Sequence, residues 1–185
     1  SEQLLPGDRV SVVADNCTDI TASLARACGA QVFERSDTTR RGKGFALEFG
    51  LQQLAADHRE VVVIVDADCR LSSGSLEVLA RSAVAFGAPM QAAYLMPSPE
   101  HGTARDLVSQ FAVQVKNLVR LRGLARLGGP SLLTGSGMAL SEPPPESVRR
   151  MRCASVTQQA TERGKVSSSR RYSMIFFGSS LLWWD

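Results

Sequence analysis

Five consecutive apolar, β-favouring residues, Val61-Val62-Val63-Ile64-Val65, run straight into Asp66-Ala67-Asp68. A strand with one wet face alternates apolar and polar residues. An unbroken run marks a strand covered on both faces, as in a parallel sheet between helices. Val10-Ser11-Val12-Val13-Ala14 reads as another strand, and Gln31-Val32-Phe33-Glu34 as a shorter one. Helical patterns lie between them. One is capped by Thr18 or Asp19, runs through Ile20, Leu24 and Ala27, and stops at Gly29. Another opens at Arg41-Gly42-Lys43-Gly44 and carries Phe45, Leu47, Leu51 and Leu54. A third follows Ser72-Ser73 through Leu76, Leu79 and Val84 to Gly87, and Met90 to Leu95 reads as another strand. This alternation predicts an α/β fold with a mostly parallel, Rossmann-like sheet flanked by helices.

Thr103 to Leu127 is the longest helical pattern, with Leu107, Phe111, Val115 and Leu118 at helical spacing. The simplest reading of that stripe is core. Arg105, Lys116, Arg120, Arg122 and Arg126 read as a solvated face; contact with an anionic membrane or with an acceptor is the lesser reading. Near Ser141 the character changes: Pro143-Pro144-Pro145 breaks regular structure, and Ser, Arg and Thr dominate without period to Arg171. The expectation is a domain over 1–140 and an irregular tail over 141–185. Residues 141–171 are expected to lack packed structure, ahead of a short apolar end from Tyr172 to Trp184.

A chain of 185 residues suits one domain, and its 44% hydrophobic and 21% charged content excludes a wholly disordered chain or a long coiled coil. No apolar run approaches the roughly 20 residues that cross a bilayer. Residues 1–140 hold 14 Lys+Arg and 14 Asp+Glu, so the net charge of +3 arises in the tail, with 7 against 4. Balanced charge and 6% aromatic content argue against nucleic acid as a partner. Cys17, Cys28, Cys69 and Cys153 lack zinc-type spacing and read as free thiols in a reducing compartment. With no leader pattern over residues 1–10, the expected location is cytoplasmic, extending to the inner face of the membrane if the arginine-rich helix meets lipid.

Parallel sheets bind ligands beyond the carboxyl ends of their strands. There the chain offers Asp15 and Asp19, Arg35 and Asp37, then Asp66 and Asp68. Alternate residues of an extended backbone face the same way, so Asp66 and Asp68 can address one point. Two hard oxygen donors suit Mg²⁺ or Mn²⁺, which complete their shells with phosphates and water. The competing reading makes one Asp a helix cap and the other a solvated charge. Arg41-Gly42-Lys43-Gly44 sets cations and an approachable backbone at a helix start, which suits a phosphate, although alone it reads more often as a turn with a solvated charge cluster. His58 and His101, the only histidines, lie in expected loops, which argues against a histidine triad.

Taken in order, Val12-Val13-Ala14-Asp15-Asn16-Cys17-Thr18-Asp19, Arg41-Gly42-Lys43-Gly44-Phe45-Ala46-Leu47, Val65-Asp66-Ala67-Asp68 and Leu133-Thr134-Gly135-Ser136-Gly137-Met138 resemble the family 2 glycosyltransferases. The resemblance implies a GT-A fold, a nucleotide-sugar donor, a Mn²⁺ or Mg²⁺ cofactor and inverting transfer to a hydroxyl of a sugar, lipid or polysaccharide acceptor. It implies that Asp15 meets the base, that Lys43 sits beside the nucleotide and that Asp66 and Asp68 form the Asp-x-Asp motif. Asp68 would then ligate the metal, with Asp66 near the ribose or metal shell. Thr134, Gly135, Ser136 and Gly137 would lie near sugar and acceptor. The family's opening strand has no counterpart before Val10, and no Glu-Asp pair follows Met138 to supply a base. The expectation is therefore a truncated form with no assigned catalytic base. The alternatives are a non-catalytic remnant that keeps partial nucleotide-diphosphate binding and, ranked last, a haloacid-dehalogenase-type phosphatase. Arg70 stands where the phosphatase motif needs Thr or Val.

Overall fold

The computed structural model describes residues 3–57, 59–97, 102–129, 133–141, 154–156 and 172–178. Strand β1 (Arg9–Asp15), helix α1 (Thr21–Ala27), strand β2 (Gln31–Arg35) and helix α2 (Lys43–Leu54) follow in order. Strand β3 (Val61–Asp66), helix α3 (Ser75–Phe86) and strand β4 (Met90–Ala92) come next. One long helix then runs as α4 (Ala104–Gln114), a π turn (Val115–Val119) and α5 (Arg120–Arg126). Strands β5 (Met138–Ser141), β6 (Ala154–Val156) and β7 (Tyr172–Gly178) complete the described chain.

The seven strands form one sheet in the order β2-β1-β7-β3-β5-β4-β6. Every neighbouring pair is parallel except those made by β5, which runs against both β3 and β4. Strand β3 is buried from Val61 to Val65, and its alternate residues feed opposite layers. Val61, Val63 and Val65 pack with Leu76, Leu79, Ala80 and Ala83 of α3. Val62 and Ile64 pack on the other side with Ala46 and Leu54 of α2. The apolar run is continuous because both of its faces are core.

Two expectations are corrected. The tail is not irregular throughout: Ala154–Val156 and Tyr172–Gly178 are strands, and β7 lies in the middle of the sheet, parallel to β1 and β3. The physical reason is that β1 and β3 are central strands whose facing backbone donors and acceptors must be paired. The sheet is therefore not separable at Ser141; the rest of 142–171 and Ser179 to Asp185 lie outside the described residues. Nor is the stripe of the long helix core. Leu107, Phe111 and Val115 are exposed and only Leu118 of the stripe is half-buried, while the buried positions are Asn117 and Leu121. The helix itself forms as expected, with Thr103 and Asp106 making a capping box at its start. Among the described residues, no helix is long and apolar enough to cross a membrane.

Candidate functional site

Parallel pairing brings the carboxyl ends of β1, β2 and β3 to one edge, so Asp15, Arg35 and Asp66 close their strands there. Because β5 runs the other way, the Thr134–Gly137 segment leading into it reaches the same edge. At the end of β3, the Asp66 amide donates to Ser136 Oγ at 3.0 Å. The Ser136 hydroxyl donates to Cys69 Sγ at 3.1 Å, and the thiol lies 3.6 Å from Asp68 Oδ1. Lys43, the first residue of α2, reaches across and pairs with the Asp66 carboxylate. A Cβ on Gly135, whose φ is +93°, would stand 3.2 Å from Lys43 Nζ, so a bare backbone lets this loop lie against the ammonium.

Buried Gln91 of β4 holds the loop from behind. Its Nε2 donates to Ser136 O at 2.8 Å and Ala92 O at 2.9 Å, and its Oε1 accepts from the Thr134 amide at 2.9 Å. Burial raises the Cys69 thiol above its usual range, and the Asp68 and Asp66 charges push the same way against the Ser136 hydrogen bond. Tyr94, just beyond β4, is raised by burial and by the neighbouring Cys69, Asp68 and Asp66. Both groups stay protonated at neutral pH.

Asp66, Asp68 and Cys69 each offer one ligand atom, all within 4.8 Å of one another. Two carboxylates fit a hard divalent cation with open positions, whereas a protonated thiol is a poor ligand. Lys43 already neutralises Asp66, which leaves exposed Asp68 as the carboxylate facing solvent.

Asp15 lies across β7 from Asp66, two strands over and two residues further along, since Phe177 of β7 is level with both Val13 and Asp66. It is tied down: the Arg35 guanidinium pairs with Asp15 at 2.6 Å and Asp37 at 3.0 Å, and donates to Arg40 O at 2.6 Å. Asn16, in the left-handed region at φ 55°, accepts from the Asp37 amide at 2.8 Å. The Arg40 amide, with the Thr39 hydroxyl and amide, holds the Asp37 carboxyl at about 2. A cavity of about 360 Å³ opens beside this knot, lined by Arg35, Asp37, Arg40, Phe45 and Glu48. Asp19 is used locally, accepting from the Thr21 amide at 2.9 Å at the start of α1.

Lys43, Asp66, Asp68, Gly135 and Ser136 thus meet, while Asp15 belongs to a second cluster on the same edge. Cys69, Gln91 and Tyr94 were not picked out from the sequence for this place. Gln91 carried a readable signal, since an amide inside an apolar strand must find partners when buried.

A mostly parallel α/β sheet with helices packed on both faces defines a doubly wound class of domain, here with an acidic pair and a helix-borne lysine at its carboxyl edge. The family described as Glycosyl transferase family 2 matches over residues 1–111, and the chain belongs to that family. No curated protein and no solved structure matches the chain. The matched span holds Asp15, Lys43, Asp66 and Asp68; the 134–137 loop lies beyond it.

Proposed function

We propose that this chain binds a nucleotide-sugar donor with a divalent cation and serves inverting transfer of the sugar to an acceptor hydroxyl. The observation that carries this reading is the meeting of Asp66, Asp68 and Lys43 at the carboxyl edge of a parallel sheet. An acidic pair beside a cation is what a diphosphate bridged to a metal requires. In this reading Asp68, with Asp66, would hold Mn²⁺ or Mg²⁺, which supplies positive charge to a leaving diphosphate. Lys43 would exchange part of its pairing with Asp66 for a phosphate oxygen. Asp15, set by Arg35 and Asn16, would face the base, and the Thr134–Gly137 backbone would border sugar and acceptor. No carboxylate is assigned as base: Glu142, Glu146, Glu162 and Asp185 lie outside the described residues.

The test is calorimetric titration with nucleoside diphosphates, with and without Mn²⁺, on the full chain and on Asp68→Ala. Exposed Asp68 makes a fold cost of at most about 0.5 kcal/mol the expectation. Metal-dependent affinity should vanish in the variant while its circular dichroism is unchanged. Equal metal-dependent affinity in both proteins would sink the reading. Donor hydrolysis followed in the same samples separates transferase chemistry from binding without turnover, the reading favoured by a sequence with no Glu-Asp pair after Met138.

A further inference from the structure

The long helix turns its apolar side away from the protein. Phe111, Val115 and Val119 recur every four residues after Leu107, with Val108 alongside. Phe111 is 67% exposed, Val108 68%, Val119 61% and Leu107 55%. Asn117 and Leu121, half a turn round from that row, are the residues that face the sheet. Residues 104–127 carry five cations, Arg105, Lys116, Arg120, Arg122 and Arg126, against one acid, Asp106. That acid is engaged in the capping box with Thr103. None of the five cations is in an ion pair among the described residues.

We propose that this face docks on an anionic lipid surface. The argument is charge complementarity around an apolar row: the occupant must accept Phe and Val side chains and also neutralise a cationic surround, which the interface of an anionic bilayer does. A second copy docking by the same face would set five cations against five more. Residues 141–185, with 7 Lys+Arg and 4 Asp+Glu, have the same sign as the helix and suit it no better. The proposal stands apart from the donor-site reading, although the two are structurally linked: Asn117 Nδ2 donates to Tyr94 O at 3.2 Å, and Tyr94 neighbours Cys69 and Asp68.

The experiment is co-sedimentation of the full chain with vesicles of phosphatidylcholine alone and of phosphatidylcholine mixed with phosphatidylglycerol. Two double variants accompany it, Val108→Ser with Phe111→Ser and Arg120→Glu with Arg126→Glu. All four positions are exposed, so unchanged circular dichroism is expected. The chain should sediment with the anionic vesicles and be released by salt, and each variant should bind at least tenfold more weakly, on the order of two lost cationic or apolar contacts. Absence of sedimentation, equal binding to both vesicle types, or full binding by both variants overturns the proposal. So does a dimer, seen by analytical ultracentrifugation and dissolved by the serine variant, in a chain that ignores vesicles.

Discussion

The Gln91 amide is bonded at both ends, so a single buried side chain fixes the loop that presents Ser136 to the Asp66 amide. Truncating it strands the Thr134 amide and the Ser136 carbonyl, and an unsatisfied buried group costs about 1–3 kcal/mol. Gln91→Ala should lower the unfolding free energy by that amount, read as a lower urea midpoint with an unchanged slope; a midpoint equal to wild type would mean that water replaces the amide. Asp37 offers a test by pH. Its carboxyl is held at about 2, below the ordinary carboxylate value near ~3.9, so its support for the Arg35 knot is complete above ~4 and lost as pH falls through about 2. The Thr39 and Arg40 amide resonances should titrate with a midpoint of about 2, and a midpoint near ~4 would refute the knot in solution. Asp66 and Asp68 were legible because a buried strand precedes them and its end must open to solvent. Their partners Ser136 and Cys69 were not legible as partners, since 70 residues of chain separate Asp66 from the hydroxyl its amide bonds.

Strand β7 shows where reading elements in isolation stops. Met174-Ile175-Phe176-Phe177 has the same unbroken apolar character as Val61–Val65, so a buried strand was readable there. Its place between β1 and β3 was not, because a non-local pairing leaves no mark in local period. The same limit applies to the long helix: its period is legible and so is its start at Thr103, but not which side faces the sheet. Six residues of β7 pair on each edge, Arg9↔Ser173 through Ala14↔Gly178 on one side and Val61↔Tyr172 through Asp66↔Phe177 on the other. A chain ending at Arg171 would leave both partner strands with open donors and acceptors in the centre of the sheet. It should lose cooperative urea unfolding and near-ultraviolet circular dichroism, whereas a shortened chain with the wild-type midpoint and slope would show that β7 is dispensable.

At the scale of the whole molecule, the candidate site is a property of the assembled sheet. Lys43 comes from α2, Asp66 and Asp68 from the end of β3, and Ser136 from the approach to β5, so no unfolded segment can present them together. Family membership covers residues 1–111, yet the loop at Ser136 and the central strand β7 lie beyond that span and are built into the same sheet. A ligand seated on this edge therefore binds the folded state alone and must stabilise the whole chain by mass action. At a nucleoside diphosphate concentration of about 100 times its Kd, with Mn²⁺ saturating, the added stability is about 2.7 kcal/mol. For a domain of this size each kcal/mol moves the melting temperature by about 2–4 °C, so the expected rise is about 5–10 °C. Mn²⁺ alone or nucleotide alone should move it far less, because in the proposed donor site the cation and the diphosphate would neutralise one another between Asp68 and Lys43. Differential scanning calorimetry of the four conditions decides it. A rise that persists without Mn²⁺, or that survives Asp68→Ala, would place the diphosphate away from the Asp66–Asp68 pair and point to the cavity beside Arg35 and Asp37 instead.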